Sequence, residues 1–86
     1  MSLGKGLSLV SILVDERGER APRVQEVVTE FGSEIIGRFG VPSPSKEKGL
    51  ITLAMEAERA RVDQLVGKLK TIEGVEMATA HFNNMV

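Results

Sequence analysis

Hydrophobic and polar positions along the chain follow two periods, strict alternation and a helical repeat, and the chain switches between them several times. Residues 7–14 are rich in apolar and β-branched side chains on both alternating faces, which is typical of a central strand covered on two sides. Alternation also marks residues 35–41, 50–55 and 75–82. We predict that these four stretches are strands.

Helical spacing marks two stretches between the predicted strands. In the first, apolar residues recur at i, i+3, i+4 and i+7, namely Val24, Val27, Val28 and Phe31. This pattern predicts a helix over about residues 22–31, with Pro22 in its first turn. In the second, the apolar residues are Val62, Leu65, Val66, Leu69 and Ile72. They predict the second helix.

Glycines and charged residues mark the ends of these elements. We expect Gly32 and Gly74 to end the two helices, because glycine takes the left-handed conformation of a helix C-terminus without steric cost. Residues 15–20 read D-E-R-G-E-R. They predict a charged turn after the first strand, in which Gly18 takes a positive φ.

The predicted order is β-α-β followed by a second β-α-β. Two such units form a ferredoxin-like α+β fold, in which a four-stranded antiparallel sheet carries both helices on one face. The chain has 86 residues, which is enough for one domain but only for a thin core. We therefore predict a single domain over residues 1–86 with an ordered core of about residues 7–82.

Strand alternation also predicts which side chains lie under the helices. The helix-facing set is predicted to be Ile35, Phe39, Ile51, Leu53 and Met55. The opposite face is predicted to carry Ile36, Arg38, Leu50, Thr52, Ala54, Ala78, Ala80 and Phe82. An uncovered face this apolar marks an interaction surface. We predict self-association to a dimer or tetramer through this face, through a strand edge, or both, and all of these residues except Arg38 are the predicted interface.

Composition and charge narrow the classes of function. The formal net charge is −1, from 11 Lys and Arg against 12 Asp and Glu, whereas nucleic-acid-binding domains usually show a basic excess. Without cysteines, a disulfide framework and a thiolate metal site are both excluded. No apolar run approaches the length of a membrane span, and the N-terminal M-S-L-G-K-G lacks the apolar core of a secretory signal. We expect a cytoplasmic protein.

Two stretches are candidate ligand sites. In Gly37-Arg38-Phe39-Gly40 the glycines allow close approach of an anionic ligand to which Arg38 offers forked donors. The alternative is a β-bulge in an edge strand with a solvated arginine. The turn with Asp15 and Gly18 precedes a helix N-terminus, a common place for a small anion, and its alternative is a solvated turn of mixed charge.

No catalytic or metal constellation is visible in the sequence. His81 is the only histidine, and one imidazole without a cysteine or a second histidine does not form a conventional transition-metal site within a monomer. No nucleophile with a base and an orienting acid is indicated by spacing. We predict no enzyme activity, no metal and no cofactor.

Several short motifs resemble a known family. The turn D-E-R-G after the first strand and E-F-G-S-E-I after the first helix resemble the ACT domain. A second likeness is to the small ACT-like proteins called iron-only hydrogenase system regulators. It rests on I-I-G-R-F-G-V-P at residues 35–42, on L-I-T-L at 50–53, and on L-V-G-K-L at 65–69 followed by I-x-G-V at 72–75.

This resemblance implies a regulatory role and a fold like the C-terminal domain of the nickel-responsive repressor. That repressor domain binds nickel through several histidines and a cysteine, a set that this chain lacks. We therefore expect a homo-oligomeric regulatory module that binds a small-molecule effector or a partner protein, with Asp15, Gly18, Gly37, Arg38 and Gly40 as ligand contacts. The alternative is a transcription regulator acting on DNA, for which no basic reading helix or ribbon is visible.

Overall fold

The computed structural model describes residues 5–15, 17–42 and 48–82. In chain order the elements are β1 (Lys5–Val14), α1 (Arg17–Glu30), a 3-10 turn (Gly32–Glu34), β2 (Ile35–Pro42), β3 (Gly49–Glu58), α2 (Arg59–Lys70) and β4 (Val75–Phe82). Neither helix combines the length and the apolarity needed to cross a bilayer.

The four strands form one antiparallel sheet in the order β2-β3-β1-β4. This order and the two helices confirm the ferredoxin-like α+β fold. Alternate residues of β1 from Ser8 to Val14 and of β3 from Leu53 to Ala57 are buried on the helix side. The core cluster there consists of Val10, Ile12, Val14, Val24, Val27, Val28, Phe31, Leu53, Met55, Ala57, Val62, Leu65 and Leu69. The stripes predicted for both helices supply much of this core.

Helix α1 begins five residues earlier than predicted. It starts at Arg17, so the predicted turn of residues 15–20 is wrong, and Gly18 lies in the first helical turn. Arginine and glutamate are good helix formers, but they carry no apolar period that would reveal the helix start. Pro22 therefore lies inside the helix. The carbonyl that its missing N–H would have bonded belongs to the first turn.

The two predicted C-terminal glycines behave differently. Gly74 has a positive φ of 82°, but α2 ends at Lys70 with Thr71 as its C-cap, so Gly74 lies in the turn before β4 and does not end the helix as predicted. Gly32 instead begins the 3-10 turn, and Phe31 donates its backbone N–H to the carbonyl of Val28 at 3.0 Å. The tighter 3-10 pattern satisfies the carbonyl groups at the end of α1, so no left-handed residue is needed there.

A β-bulge in β2 overturns part of the predicted face assignment. Ile35 pairs with Met55 and Gly37 with Ala54, so two steps along β2 match one step along β3. The extra residue reverses the side on which each later β2 side chain lies. Arg38, opposite Leu53, is thus on the helix side, whereas Phe39 lies on the uncovered side. The predictions for both were wrong, and the edge-strand bulge considered for this stretch is present.

Candidate functional site

The side of the sheet away from the helices is uncovered and apolar, and we call it the open face. Its apolar and small polar members are Leu7, Leu9, Ser11, Leu13, Gly37, Phe39, Val41, Leu50, Thr52, Ala54, Ala78, Ala80 and Phe82. Four charged residues, Lys5, Glu56, Glu58 and Glu76, lie at its perimeter. Phe39 is 63% exposed and Phe82 52%. Leu9, Val41 and Leu50 are about two-fifths exposed. Exposed apolar side chains concentrated on one face mark an interaction surface.

Strand β1 shows the same property. Its even-numbered residues from Ser8 to Val14 are buried, but Leu9 on the open face is exposed. The apolar character on both faces of β1 predicted a strand covered on two sides, and the described residues cover only one of them. The sequence of β1 therefore suits a sheet whose second face is covered by something else.

The predicted interface residues largely share this face. Leu50, Thr52, Ala54, Ala78, Ala80 and Phe82 all lie on it. Ile36 is the unpaired residue at the bulge and is 61% exposed. Ser11 and Thr52 hydrogen-bond to each other through their hydroxyl groups at 3.0 Å, which satisfies the polar side chains near the centre of the face. The role of this face as an interface stays a prediction.

A cleft lies between α1 and the paired ends of β2 and β3. Its volume is about 270 Å³, and it is lined by Val14, Ala21, Gln25, Gly40, Val41, Gly49, Leu50 and Ile51. Arg38 Nη2 donates to Gln25 Oε1 at 2.6 Å. This bond uses the amide oxygen of Gln25. The NH₂ group of the same side chain can therefore act as a hydrogen-bond donor.

Only some of the predicted ligand contacts lie at the cleft. Gly40 lines it and Arg38 is bonded to its amide side chain, but Gly37 lies on the open face. Gln25 is a site residue that the sequence reasoning missed. It lies within a helical stretch among other polar residues, and only the bulge in β2, which turns Arg38 toward α1, reveals its role.

Asp15 and Gly18, which were predicted to form a ligand site with the turn of residues 15–20, are not among the described residues that line the cleft. Asp15 donates its backbone N–H to the carbonyl of Gly74 at 2.9 Å. It lines a separate cavity of about 260 Å³ together with Lys48 and Glu76. Gly18 belongs to the first turn of α1 rather than to a loop. The structure therefore separates the predicted ligand residues into different places.

His81 is held in a structural position. It lies on β4 opposite Ser8, on the helix side, and its Nδ1 is 2.9 Å from the Ser8 hydroxyl. Ser8 is 6% exposed, so His81 satisfies a buried hydroxyl group. Among residues 5–15, 17–42 and 48–82, no group of three His, Asp or Glu side chains is arranged to hold a metal ion.

Charged side chains join the C-terminal end of α1 to α2. The Phe31 ring is buried, and the Arg61 guanidinium lies 4.1 Å from its centroid, with the Lys68 ammonium at 5.8 Å. Cations over an aromatic face are attracted by the ring's quadrupole. This arrangement holds the two helices together on the covered side of the sheet.

Two carboxylates in the same cluster have perturbed acidity. The hydrogen bond from Lys68 lowers the pKa of Glu30 below its ordinary value. The Ser33 hydroxyl, which donates to Glu34 at 2.9 Å, lowers the pKa of Glu34, and Arg61 at 3.3 Å adds to this effect. Both carboxylates pair with cations of α2, so we attribute these shifts to helix packing.

The family of the chain follows from comparison with known proteins. A family model of TM1266-like proteins, proposed regulators of the iron-only hydrogenase system, matches residues 6–79. The chain belongs to the TM1266-like family. The matched stretch runs from β1 through most of β4, so membership covers the sheet, both helices, the cleft and most of the open face of this TM1266-like protein. A comparison with curated proteins gave no match.

Solved structures agree with this assignment. TM1266 from Thermotoga maritima is 27% identical, with a TM-score of 0.85, over 91% of this chain and 98% of that chain. The ACT domain of GTP pyrophosphokinase from Chlorobium tepidum is 15% identical, with a TM-score of 0.70, over 94% and 90% of the two chains. The C-terminal domain of MgtC from Mycobacterium tuberculosis is also 15% identical, with a TM-score of 0.70, over 98% and 95%. The match to the ACT domain establishes an ACT-like fold for the TM1266-like chain.

Proposed function

We propose that this protein is a non-catalytic, homo-oligomeric regulatory module of the iron-only hydrogenase system that binds a small-molecule effector or a partner protein. Family membership supports the regulatory role, and the ACT-like fold is compatible with it. The open face is the observation that carries the homo-oligomer. Five of its large apolar side chains, Leu9, Phe39, Val41, Leu50 and Phe82, are about two-fifths or more exposed, and an exposed apolar patch of this kind is often an interaction site.

The cleft between α1 and the β2–β3 ends is the proposed effector site. Its volume of about 270 Å³ lies just below the usual range of ligand pockets, so it suits a small molecule rather than a nucleotide-sized one. Its walls are mostly apolar, and the Gln25 amide, held by Arg38, supplies a polar contact. Few and fixed polar groups in an apolar pocket are typical of a ligand site.

The charge distribution on the helices gives little support to DNA binding. Arg20, Arg23, Arg59, Arg61 and Lys68 each form an ion pair with a nearby carboxylate. Cations that are neutralised in this way do not form the basic stripe that contacts phosphates. The regulatory role is therefore proposed to act through protein or small-molecule contacts.

A thermal-shift screen of amino acids, nucleotides and divalent metals tests the effector part, because a ligand that prefers the native state raises its melting temperature. We expect a shift with a small ligand that is lost in Gln25→Ala. Glu26→Ala is the matched control, since Glu26 is an exposed residue of α1 that pairs with Arg23 and does not line the cleft. A shift that survives Gln25→Ala contradicts the cleft assignment. No shift with any class points to a protein partner.

A further inference from the structure

We infer that a second copy of this chain docks on the open face about a two-fold axis that runs parallel to the strands, between β1 and β3. This inference rests on the proposed self-association and specifies its geometry. It follows from the relief of the open face, which the strand register determines residue by residue.

Two rows of side chains cross the centre of the open face. The first row runs from β2 to β4 as Phe39, Thr52, Ser11 and Ala78. The second row is Gly37, Ala54, Leu9 and Ala80. Each row can be reversed about the line between β3 and β1. Reversal exchanges the large Phe39 with the small Ala78 in the first row, and the large Leu9 with the small Ala54 in the second. The face thus has projections at Phe39 and Leu9, and hollows at the alanines and the glycine.

A two-fold axis along the strands places β2 of one copy over β4 of the other, and β1 over β3. Each row then faces the same row of the second copy in reversed order. Phe39 lies over Ala78 of the second copy, and Leu9 lies over its Ala54. Both contacts occur twice by symmetry, which is the self-complementarity that an isologous dimer requires.

The other simple axis, perpendicular to the strands through the first row, fits poorly. It places Phe39 over Phe39 and Ala78 over Ala78. The phenylalanines would then hold the sheets apart while the alanines left a void, and packed interiors contain few such voids. Aligned sheets cross at about 30°, which displaces contacts at the edge strands by about half a row and keeps Phe39 over the Ala78 and Ala80 hollow.

Area and charge are both compatible with a second copy. Four strands about 4.8 Å apart and five rows about 6.8 Å apart, of which the last two rows are incomplete, give roughly 550 Å² per copy, or about 1,100 Å² in total, which reaches the size expected of a biological interface. Lys5 and Glu58 form the last row at one end of the face. The axis brings Lys5 of one copy opposite Glu58 of the other, so this end is complementary in charge. In the neighbouring outer rows it places Leu50 over Leu13, Glu76 over Val41 and Glu56 over Leu7. Glu76 lies on the edge strand β4 and Glu56 at the end of its row, so both carboxylates lie on the rim of the contact, where they stay in water.

Thiol cross-linking tests the axis directly, because the chain has no cysteine. Proteins with Gly37→Cys and with Ala80→Cys are mixed and treated with a bismaleimide of about 10 Å reach, the usual spacing of packed sheets. We expect a cross-link between the two different proteins. Neither should link to itself, because the equivalent positions are then about 17 Å apart, from three strand spacings and one sheet spacing. Gly37 tolerates a side chain, since an added Cβ lies 3.9 Å from Ala54 Cβ.

Control variants separate the possible outcomes. Thr79→Cys lies on the helix side of β4 and should not link to Gly37→Cys. Ala78→Cys links to itself only under the perpendicular axis, so that product without the mixed product overturns the inference. A dimeric mass with no cross-link places the interface elsewhere and overturns the inference while self-association stands. A monomeric mass overturns both.

Affinity gives an independent readout of the same contact. Phe39→Ala should raise the dimer dissociation constant about tenfold or more, as removal of a buried aromatic anchor does. Thr79→Ala, on an exposed position of the helix side, should leave it unchanged. An unchanged dissociation constant for Phe39→Ala contradicts the docking geometry.

Discussion

Gly74→Ala is a sharp test of how the turn between α2 and β4 is built. Gly74 has φ 82°, a conformation that costs an L-amino acid roughly 1–2 kcal/mol. A Cβ at this position would also lie 2.5 Å from Arg20 Nε and 2.8 Å from Arg20 Cδ. The alanine variant must therefore displace the Arg20 side chain as well as adopt a strained backbone.

The expected loss is about 2 kcal/mol of unfolding free energy, most of it from the backbone. The Arg20 ion pair with Glu73 spans 3.6 Å, and the Glu73 side chain is 89% exposed, so its loss adds less than about 1 kcal/mol. For a domain of this size, 2 kcal/mol lowers the melting temperature by roughly 8–16 °C. Thermal and urea unfolding followed by circular dichroism, at one fixed protein concentration, measure this change.

Two further variants separate the contributions. In an Arg20→Ala background, Gly74→Ala should cost only the backbone part, so the double-mutant cycle isolates the steric part. Gly67→Ala is the matched control within α2, because an added Cβ there meets nothing within 4 Å. It should stabilise the protein by up to about 1 kcal/mol. A Gly74→Ala protein as stable as the parent would refute this account of the turn.

Three other predictions concern acidity, the cleft and the open face. Because the pKa values of Glu30 and Glu34 are lowered in the folded state, their contribution to stability is present above the ordinary carboxyl pKa of 4.5 and is lost as the pH falls below it. Urea unfolding between pH 7 and pH 3 should show a drop that is smaller in Lys68→Met, and an equal drop would contradict the pairing. Arg38→Ala should reduce the thermal shift that a ligand of the cleft produces, without changing the mass of the oligomer. A thermal shift as large as that of the parent protein would contradict this prediction. Phe39→Asp should produce a monomer by sedimentation velocity, because a carboxylate buried against the second copy is unpaired, and persistence of the oligomer would argue against the open face.

Local periodicity predicted most of the fold correctly. The alternation in β3 and β4 and the stripe of α2 correspond to the observed elements, because each has one buried face that selects apolar residues at a fixed period. The start of α1 could not be predicted in the same way, since the sequence of its first turn, R-G-E-R at residues 17–20, contains no apolar side chain. Gly32 was misjudged because a 3-10 turn satisfies the helix end as well as a left-handed glycine does.

The candidate site was less predictable than the fold. Residues that lie on strands with regular pairing, such as Ala54 and Ala80, were placed on the correct face. Arg38 and Phe39 were exchanged, because the bulge at Ile36 is a feature of pairing with β3 and has no local signature beyond nearby glycines. The contact between Arg38 and Gln25 depends on that exchange, so no reading of β2 or α1 alone would have found it.

The exchange also strengthens the interpretation of the open face. Phe39 and Val41 lie on the uncovered side, where the predicted assignment had placed Ile36 and Arg38, so that side gains two large apolar side chains and loses the charged Arg38. Its polar members near the centre, Ser11 and Thr52, satisfy each other. The face is therefore better suited to burial against a second copy than the sequence pattern indicated.

Sedimentation velocity of the unmodified chain across micromolar concentrations tests the central claim most directly. A regulatory module that self-associates through its open face should sediment as a dimer or tetramer, with a mass that falls to that of the single chain on dilution or in Phe39→Asp. A mass equal to the single chain at every concentration would contradict the claim.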